Sequence, residues 1–198
     1  MTHQQAKRLI VGLTGTFGSG KSSAAKILKS LGACVIDCDE LVREAYLPKA
    51  GLQATILKSL GVKRLDRGQI AELVFQSKVK RKKLEAVIHP YVFKRVEKEL
   101  SAAREKITVI EMPLLFETGF DRRVDCVVVV SAKKEAIEKR LLKKGFTKRG
   151  MTLRQRAQWP LSVKEKEADF VVENSGSVLN LKKQVHKIWR ELNLKLTS

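Results

Sequence analysis

The chain has 198 residues, 43% of them hydrophobic and 31% charged, which is the make-up of a folded domain with a continuous core and excludes disordered, collagen-like and low-complexity chains. Its apolar run at 126–130 is far short of the roughly 18 residues that cross a bilayer, and the polar start at 1–8 lacks a signal-peptide core, so a cytoplasmic protein is expected. Lys and Arg number 40 against 21 Asp and Glu, and two segments, 77–106 and 133–167, carry 14 of the resulting +19. So local a field suits a polyanion, whether nucleic acid, acidic membrane or nucleotide.

Residues 9–14 (LIVGLT) form an apolar run too short for a helix and predict a buried strand. A glycine-rich loop follows at 15–22. Then Ala24, Ile27, Leu28 and Leu31 recur at helical spacing, with Gly32 at the C-terminal capping position. Residues 33–37 (ACVID) read as a second strand, and Asp39 can cap a short helix that Pro48 stops. The middle, 50–106, has no strand pattern. Its three helical segments are 52–60, one capped by Asp66, and one opened by Pro90 with Val92, Val96 and Leu100 as a stripe. Strands resume at 107–111, 126–130 and 170–173, separated by helical patterns at 134–144 and 152–159, and an amphipathic helix at 178–192 closes the chain. Strands alternating with helices imply an α/β domain with a five-stranded parallel sheet covered on both faces, interrupted by a helical insertion.

The loop Gly15-Thr16-Phe17-Gly18-Ser19-Gly20-Lys21-Ser22 fits G-x-x-x-x-G-K-[ST] between a strand and a helix, the context this phosphate-binding loop requires. Its glycines let backbone N–H groups turn around a phosphate, the helix N-terminus adds partial positive charge, Lys21 can reach the β and γ oxygens, and the Ser22 hydroxyl can ligate Mg²⁺. Ligands of open α/β sheets sit at the carboxyl ends of strands, where Asp37, Asp39 and Glu111 fall. Two positions apart in extended chain, Asp37 and Asp39 point their carboxylates to one side, so one could take a proton from an attacking hydroxyl while the other orients water or Mg²⁺. The plainer reading makes Asp39 a helix cap and Asp37 a strand terminus.

The order and spacing of further segments resemble the dephospho-coenzyme A kinase family. They are the loop through Ser23, Val35 to Leu41 with Arg43, Ile88-His89-Pro90, the run Val109 to Glu117 with its Pro-Leu-Leu-Phe-Glu, Gln158-Trp159-Pro160 with Lys164, Ala168-Asp169, and Asn174-Ser175-Gly176. The resemblance spans nearly the whole chain. It implies ATP-dependent phosphorylation of the ribose 3′-hydroxyl of dephospho-coenzyme A on a P-loop kinase fold. The implied core is 1–48, 107–139 and 160–198, with a helical coenzyme-binding insertion at 49–106 and a small helical lid at 140–159.

The roles implied by the resemblance are these. Gly18, Ser19, Gly20, Lys21, Ser22 and Ser23 bind the ATP phosphates, and Asn174 and Gly176 lie near the adenine. Asp39 is the general base, with Lys21 and Arg140 as the other catalytic groups and Arg154 as a second lid candidate. Ser22, Asp37 and Glu111 support Mg²⁺. Asp37, Arg43, His89, Leu115 and Glu117 belong to the acceptor site, although His89 before Pro90 reads first as a structural hydrogen-bonding residue. Thr16-Phe17 stands where the family usually has Gly-Ile, Cys38 where it has Ala, and Lys144 where many members have Arg, a change that loses a forked contact. The partner expected is a small-molecule substrate, with neither nucleic acid nor membrane, and the chain is expected as a monomer or weak homo-oligomer. The rivals are a kinase for a nucleoside monophosphate or sugar acid, a nucleic-acid-binding P-loop protein favoured by the charge, and a regulatory switch. The paired aspartates with Pro-Leu-Leu-Phe-Glu argue against the first. Only 6% aromatic residues, little interleaved with the basic segments, argue against the second, and the absence of a guanine-reading loop against the third.

Overall fold

A computed structural model describes residues 8–197; the expectation made for the polar N-terminal start lies, Arg8 apart, outside the described residues. The chain begins with strand β1 (Leu9–Gly15), helix α1 (Lys21–Ser30), strand β2 (Cys34–Asp37) and helix α2 (Cys38–Ala45). Helices α3 (Gln53–Leu60), α4 (Arg67–Gln76) and α5 (Lys78–Ala102) follow without a strand between them. Strand β3 (Ile107–Glu111) and strand β4 (Cys126–Ser131) lead to helices α6 (Lys134–Lys143), α7 (Lys148–Gln155) and α8 (Leu161–Lys166), then strand β5 (Phe170–Glu173) and helix α9 (Val178–Thr197). Among the described residues no helix is long and apolar enough to cross a membrane.

The five strands form one parallel sheet in the order β2-β3-β1-β4-β5. Central β1 is buried on both faces, as its unalternating apolar run requires. Its register sets Leu13 opposite Glu111 and Gly15 opposite Val130, so the phosphate-loop sequence leaves the sheet between the ends of β3 and β4. On one side Ala24 and Leu28 of α1 and Leu181, Val185, Ile188 and Leu192 of α9 share a core with Val11, Leu13, Val109 and Val128.

Contacts divide the chain into two compact units: residues up to 36 together with those from 103 onward, and Asp37–Ala102. In the second unit α2, α3 and α4 all pack on α5, so α2 groups with the helices, whereas the sequence reading began the insertion at 49. Asp66 caps α4 by accepting from the Gln69 N–H, as expected. Pro90 does not open a helix. It lies inside the 25-residue α5, because Leu84, Ile88, Val92 and Val96 form one buried stripe across it. Burying four such side chains stabilises by about 1.5–3 kcal/mol each, which outweighs the roughly 3 kcal/mol that an interior proline costs.

Candidate active site

The loop from Gly15 to Ser22 turns tightly because its glycines occupy conformations closed to other residues. Gly20 has φ of 100°, and a Cβ there would lie 2.1 Å from Asn174 Nδ2; at Gly15 it would lie 2.2 Å from the Val130 carbonyl oxygen. The loop delivers the chain into α1 through Gly20, its N-cap, which brings no side-chain cap, and the N-terminus of a helix presents backbone donors and partial positive charge to an anion. Thr16 and Ser19 carry buried hydroxyls that make no hydrogen bond. Buried hydroxyls without partners are costly in an empty protein and natural in one built to receive an anion. The buried Lys21 folds back over its own loop, donating to the carbonyls of Gly15 at 3.1 Å and Thr16 at 3.2 Å.

Beside the loop, the Ser22 hydroxyl donates to Glu111 Oε1 at 2.7 Å. Glu111 closes β3 and is only 4% exposed. A hydroxyl and a carboxylate are hard oxygen donors, and Mg²⁺ on a nucleotide takes only one or two such protein ligands, with water and phosphate filling the rest. The pair fits that ion. Among the described residues no group of three or more His, Cys, Asp or Glu side chains forms a dedicated metal cage.

The two aspartates differ from expectation. The extended chain ends at Asp37, which is itself the N-cap of α2: its Oδ1 accepts from the N–H groups of Asp39 at 2.8 Å and Glu40 at 3.1 Å. Asp39 therefore stands in the first turn of a helix, not two positions along a strand, and strand alternation does not set the two carboxylates on one side. Arg43, one turn on, pairs with Glu40 and lies 3.9 Å from Asp37 Oδ2.

A strap of polar side chains ties the loop to the segment after β3. Gln158 accepts from the Phe17 N–H at 2.7 Å through Oε1 and donates through Nε2 to the carbonyls of Pro113 at 3.0 Å and Gly15 at 3.3 Å. Lys164 of α8 has a fully buried side chain, donates to the same Pro113 carbonyl at 2.9 Å and to Glu117 Oε2 at 3.2 Å, and lies 2.8 Å from Glu117 Oε1 as an ion pair. Burial pushes the Lys164 pKa down, and the Glu117 carboxylate pulls it back toward its usual value. Glu117 also accepts from the Trp159 N–H at 2.6 Å. Leu115 is 0% exposed and packs under Gly12, so its side chain belongs to the core and not to an acceptor surface.

On the other flank, Arg140 of α6 donates to the Ser19 carbonyl at 3.4 Å and to the Asn174 carbonyl. Asn174 in turn donates from Nδ2 to the Ser19 carbonyl at 2.7 Å. The residues around α6 and α7 pack on the loop through a small apolar cluster. Ala132, Ile137, Leu141 and Met151 form its floor, and Phe17 and Phe146 meet over it edge to face, 5.2 Å apart. The Arg154 guanidinium lies 5.3 Å from the Phe17 ring and 5.2 Å from the Phe146 ring. Arg154 is thus engaged with aromatic faces.

The model of one protein family, described as dephospho-CoA kinase, matches residues 9–180. The chain belongs to the dephospho-CoA kinase family. A curated dephospho-CoA kinase of Thermus thermophilus is 36% identical over 194 residues, covering 97% of this chain and 96% of its own. The crystal structure of TT1252 from Thermus thermophilus superposes with a TM-score of 0.81 at 36% identity, covering 94% of this chain and 98% of that one. A dephospho-CoA kinase structure from Campylobacter jejuni gives 0.66 at 26% identity, covering 92% and 96%.

In this dephospho-CoA kinase family member the structure brings Gly18 to Ser22, Glu111, Arg140 and Asn174 around one loop through the bonds above. Gly176 follows Asn174 beyond β5, where Ser175 accepts from the Lys133 N–H at 2.7 Å. Ser23 lies within α1, its N–H bonded to the Gly20 carbonyl at 3.0 Å. His89 lies mid-helix in α5, stacked on Phe93 with ring centroids 5.8 Å apart, and desolvation lowers its pKa. Asp37, Asp39, Arg43 and His89 all belong to the helical unit. Gln158 and Lys164 received no role from the sequence. The signal present was the Gln-Trp-Pro triplet four residues before an interior lysine, which carries no chemistry until its distant partners are known.

Proposed function

We propose that this protein transfers the γ-phosphoryl group of ATP to the ribose 3′-hydroxyl of dephospho-coenzyme A, giving coenzyme A and ADP, the last step in making coenzyme A. The single observation that carries the reading is the family match over 9–180, which takes in the phosphate loop with Lys21 folded on its carbonyls and Ser22 bonded to Glu111.

The α1 amides with Ser19 and Lys21 hold the ATP phosphates, and Lys21 neutralises charge on the migrating group. Ser22 and Glu111 would hold Mg²⁺ and its waters; when bound, the ion screens phosphate charge. Asp37 contributes from the end of β2 chiefly by fixing the first turn of α2, in which Asp39 stands. Asp39 orients the acceptor hydroxyl and takes its proton as the oxygen–phosphorus bond forms and the β,γ bridge breaks. A loose transition state asks more for aim than for early deprotonation. Arg140 leaves its backbone carbonyls for the charge that develops between the β and γ phosphates. Asn174 and Gly176 border the adenine, and Arg43 and His89 serve the acceptor side. Glu117, held by Lys164, shapes the segment after β3. The reading is of a cytoplasmic enzyme acting as a monomer or weak homo-oligomer on small anions, its basic segments drawing polyphosphate substrates and not nucleic acid.

A coupled assay of ADP release tests it. Release should depend on dephospho-coenzyme A and stay near background with AMP, with a sugar acid and without acceptor. Equal rates with AMP would overturn the assignment of the acceptor.

A further inference from the structure

The Gly15 carbonyl accepts from two side chains at once, Lys21 Nζ at 3.1 Å and Gln158 Nε2 at 3.3 Å. Only one of these donors has other work to do. A phosphate-loop lysine that serves ATP must leave its own loop carbonyls for phosphate oxygens. Gln158 has no such errand, and its amide is held in one orientation. Oε1 faces the Phe17 N–H, and Nε2 faces the carbonyls of Pro113 and Gly15; the flipped amide would set two donors together and oxygen against two oxygens.

We infer that Gln158 is a positioning residue of the phosphate loop: it keeps a donor on the Gly15 carbonyl when Lys21 departs, and so lowers the cost of releasing the lysine to the nucleotide. The inference rests on the kinase reading and concerns the same site. The neighbouring contacts favour this division of labour. The Pro113 carbonyl keeps Lys164 as a donor at 2.9 Å whether or not Gln158 is there, so the bond to Gly15 is the one that only Gln158 can sustain in the nucleotide-bound loop. The Phe17 N–H is fixed on Gln158 Oε1, which holds the turn open ahead of Gly18. Gln158 touches no reacting atom in this arrangement; it acts through Lys21.

The signature is a coupling between two residues. With Lys21 present, Gln158→Met leaves the Gly15 carbonyl with one donor in the free protein and none of the two after ATP binds. With Lys21→Met, Gln158 bonds Gly15 equally in both states, and its loss should cancel from the affinity. ATP affinity, measured by titration calorimetry with Mg²⁺ on the full chain, should therefore fall about 5-fold for Gln158→Met in the wild-type background, the worth of one hydrogen bond. The same substitution in Lys21→Met should change it by less than about 2-fold. A merely structural glutamine would lower affinity by the same factor in both backgrounds, and that additivity overturns the inference. If Gln158→Met does not fold, Gln158→Asn, which keeps the amide on a shorter arm, should show the same non-additivity at smaller size. Failure of the wild-type chain to bind ATP would overturn the kinase reading and this inference together; additivity with intact wild-type binding overturns this inference alone.

Discussion

Around the phosphate loop, shape is set by side chains bonding to backbone across great lengths of chain: Gln158 to Phe17, Asn174 to Ser19, Lys164 to Pro113. In the helical unit from Asp37 to Ala102, shape is set by near neighbours. Asp37 and Asp66 cap the helices they precede, and an apolar stripe runs along α5. Its long-range polar tie is the ion pair of Arg95 with Glu44, supported by Tyr91 and Glu99 along the same helix. The contrast is one of consequence as much as of chemistry. A helical unit of this kind tolerates loss of a polar group at its surface, whereas around the loop Gln158, Asn174 and Lys164 each hold a buried or half-buried backbone carbonyl, and removing one leaves its partners short of a donor.

The strongest way to test this contrast is at the centre of the loop. Lys21→Ala should cost about 10³-fold in turnover with circular dichroism unchanged, since the lysine serves the migrating phosphoryl group and not the core. Near-normal turnover would sink the kinase mechanism. Next in size, Lys164→Met leaves the largely buried Glu117 carboxylate without its cation, with the Trp159 N–H still donating to it, and should lower unfolding stability in urea by about 3 kcal/mol, as breaking a buried pair does. A change under about 1 kcal/mol would mean that the strap is ornamental to stability. In the helical unit, Asp39→Asn keeps size and first-turn placement but cannot take a proton. It should cost about 10²-fold in turnover with ATP affinity little changed. If turnover survives, Asp39 is not the base.

The smallest effect sharpens the contrast through pH. Burial in α5 holds His89 below its ordinary pKa of 6.5, with Glu85 opposing weakly. The unfolded chain therefore takes up the proton first as pH falls, so the stabilisation from a neutral His89 is complete above about 6.5 and is lost below it. His89→Phe should flatten the fall in stability between about pH 7.5 and 5.5, measured by urea unfolding. An unchanged slope would place the acid sensitivity elsewhere.

The same contrast decides what the sequence could reveal. The strand, loop and helix from Leu9 to Leu31 were legible because apolar runs, glycines and a lysine announce themselves locally. So was the cap at Asp66. The sheet as a whole followed from the alternation of strands and helices. The start of α2 was misplaced by two residues, because Asp37 ends a strand and caps a helix at once, and local pattern offers Asp39 as an equally good cap. Pro90 was read as a helix opening since no local rule weighs a buried stripe on both sides against one missing N–H. Gln158 and Lys164 were illegible in a deeper sense. Their partners lie 141 and 47 residues away, and a lysine in a short helix of mixed polarity reads as solvated until the fold closes over it.

Phe17 also has a thermal meaning. Its ring and that of Phe146 sit over Ile137, Leu141 and Met151, so α6 and α7 cannot part from the loop without wetting aromatic and aliphatic surface. Exposing such surface raises heat capacity. If product leaves through that parting and the parting limits turnover, the activation enthalpy will itself drift with temperature, and a plot of ln(k/T) against 1/T will bend where a purely chemical step would run straight.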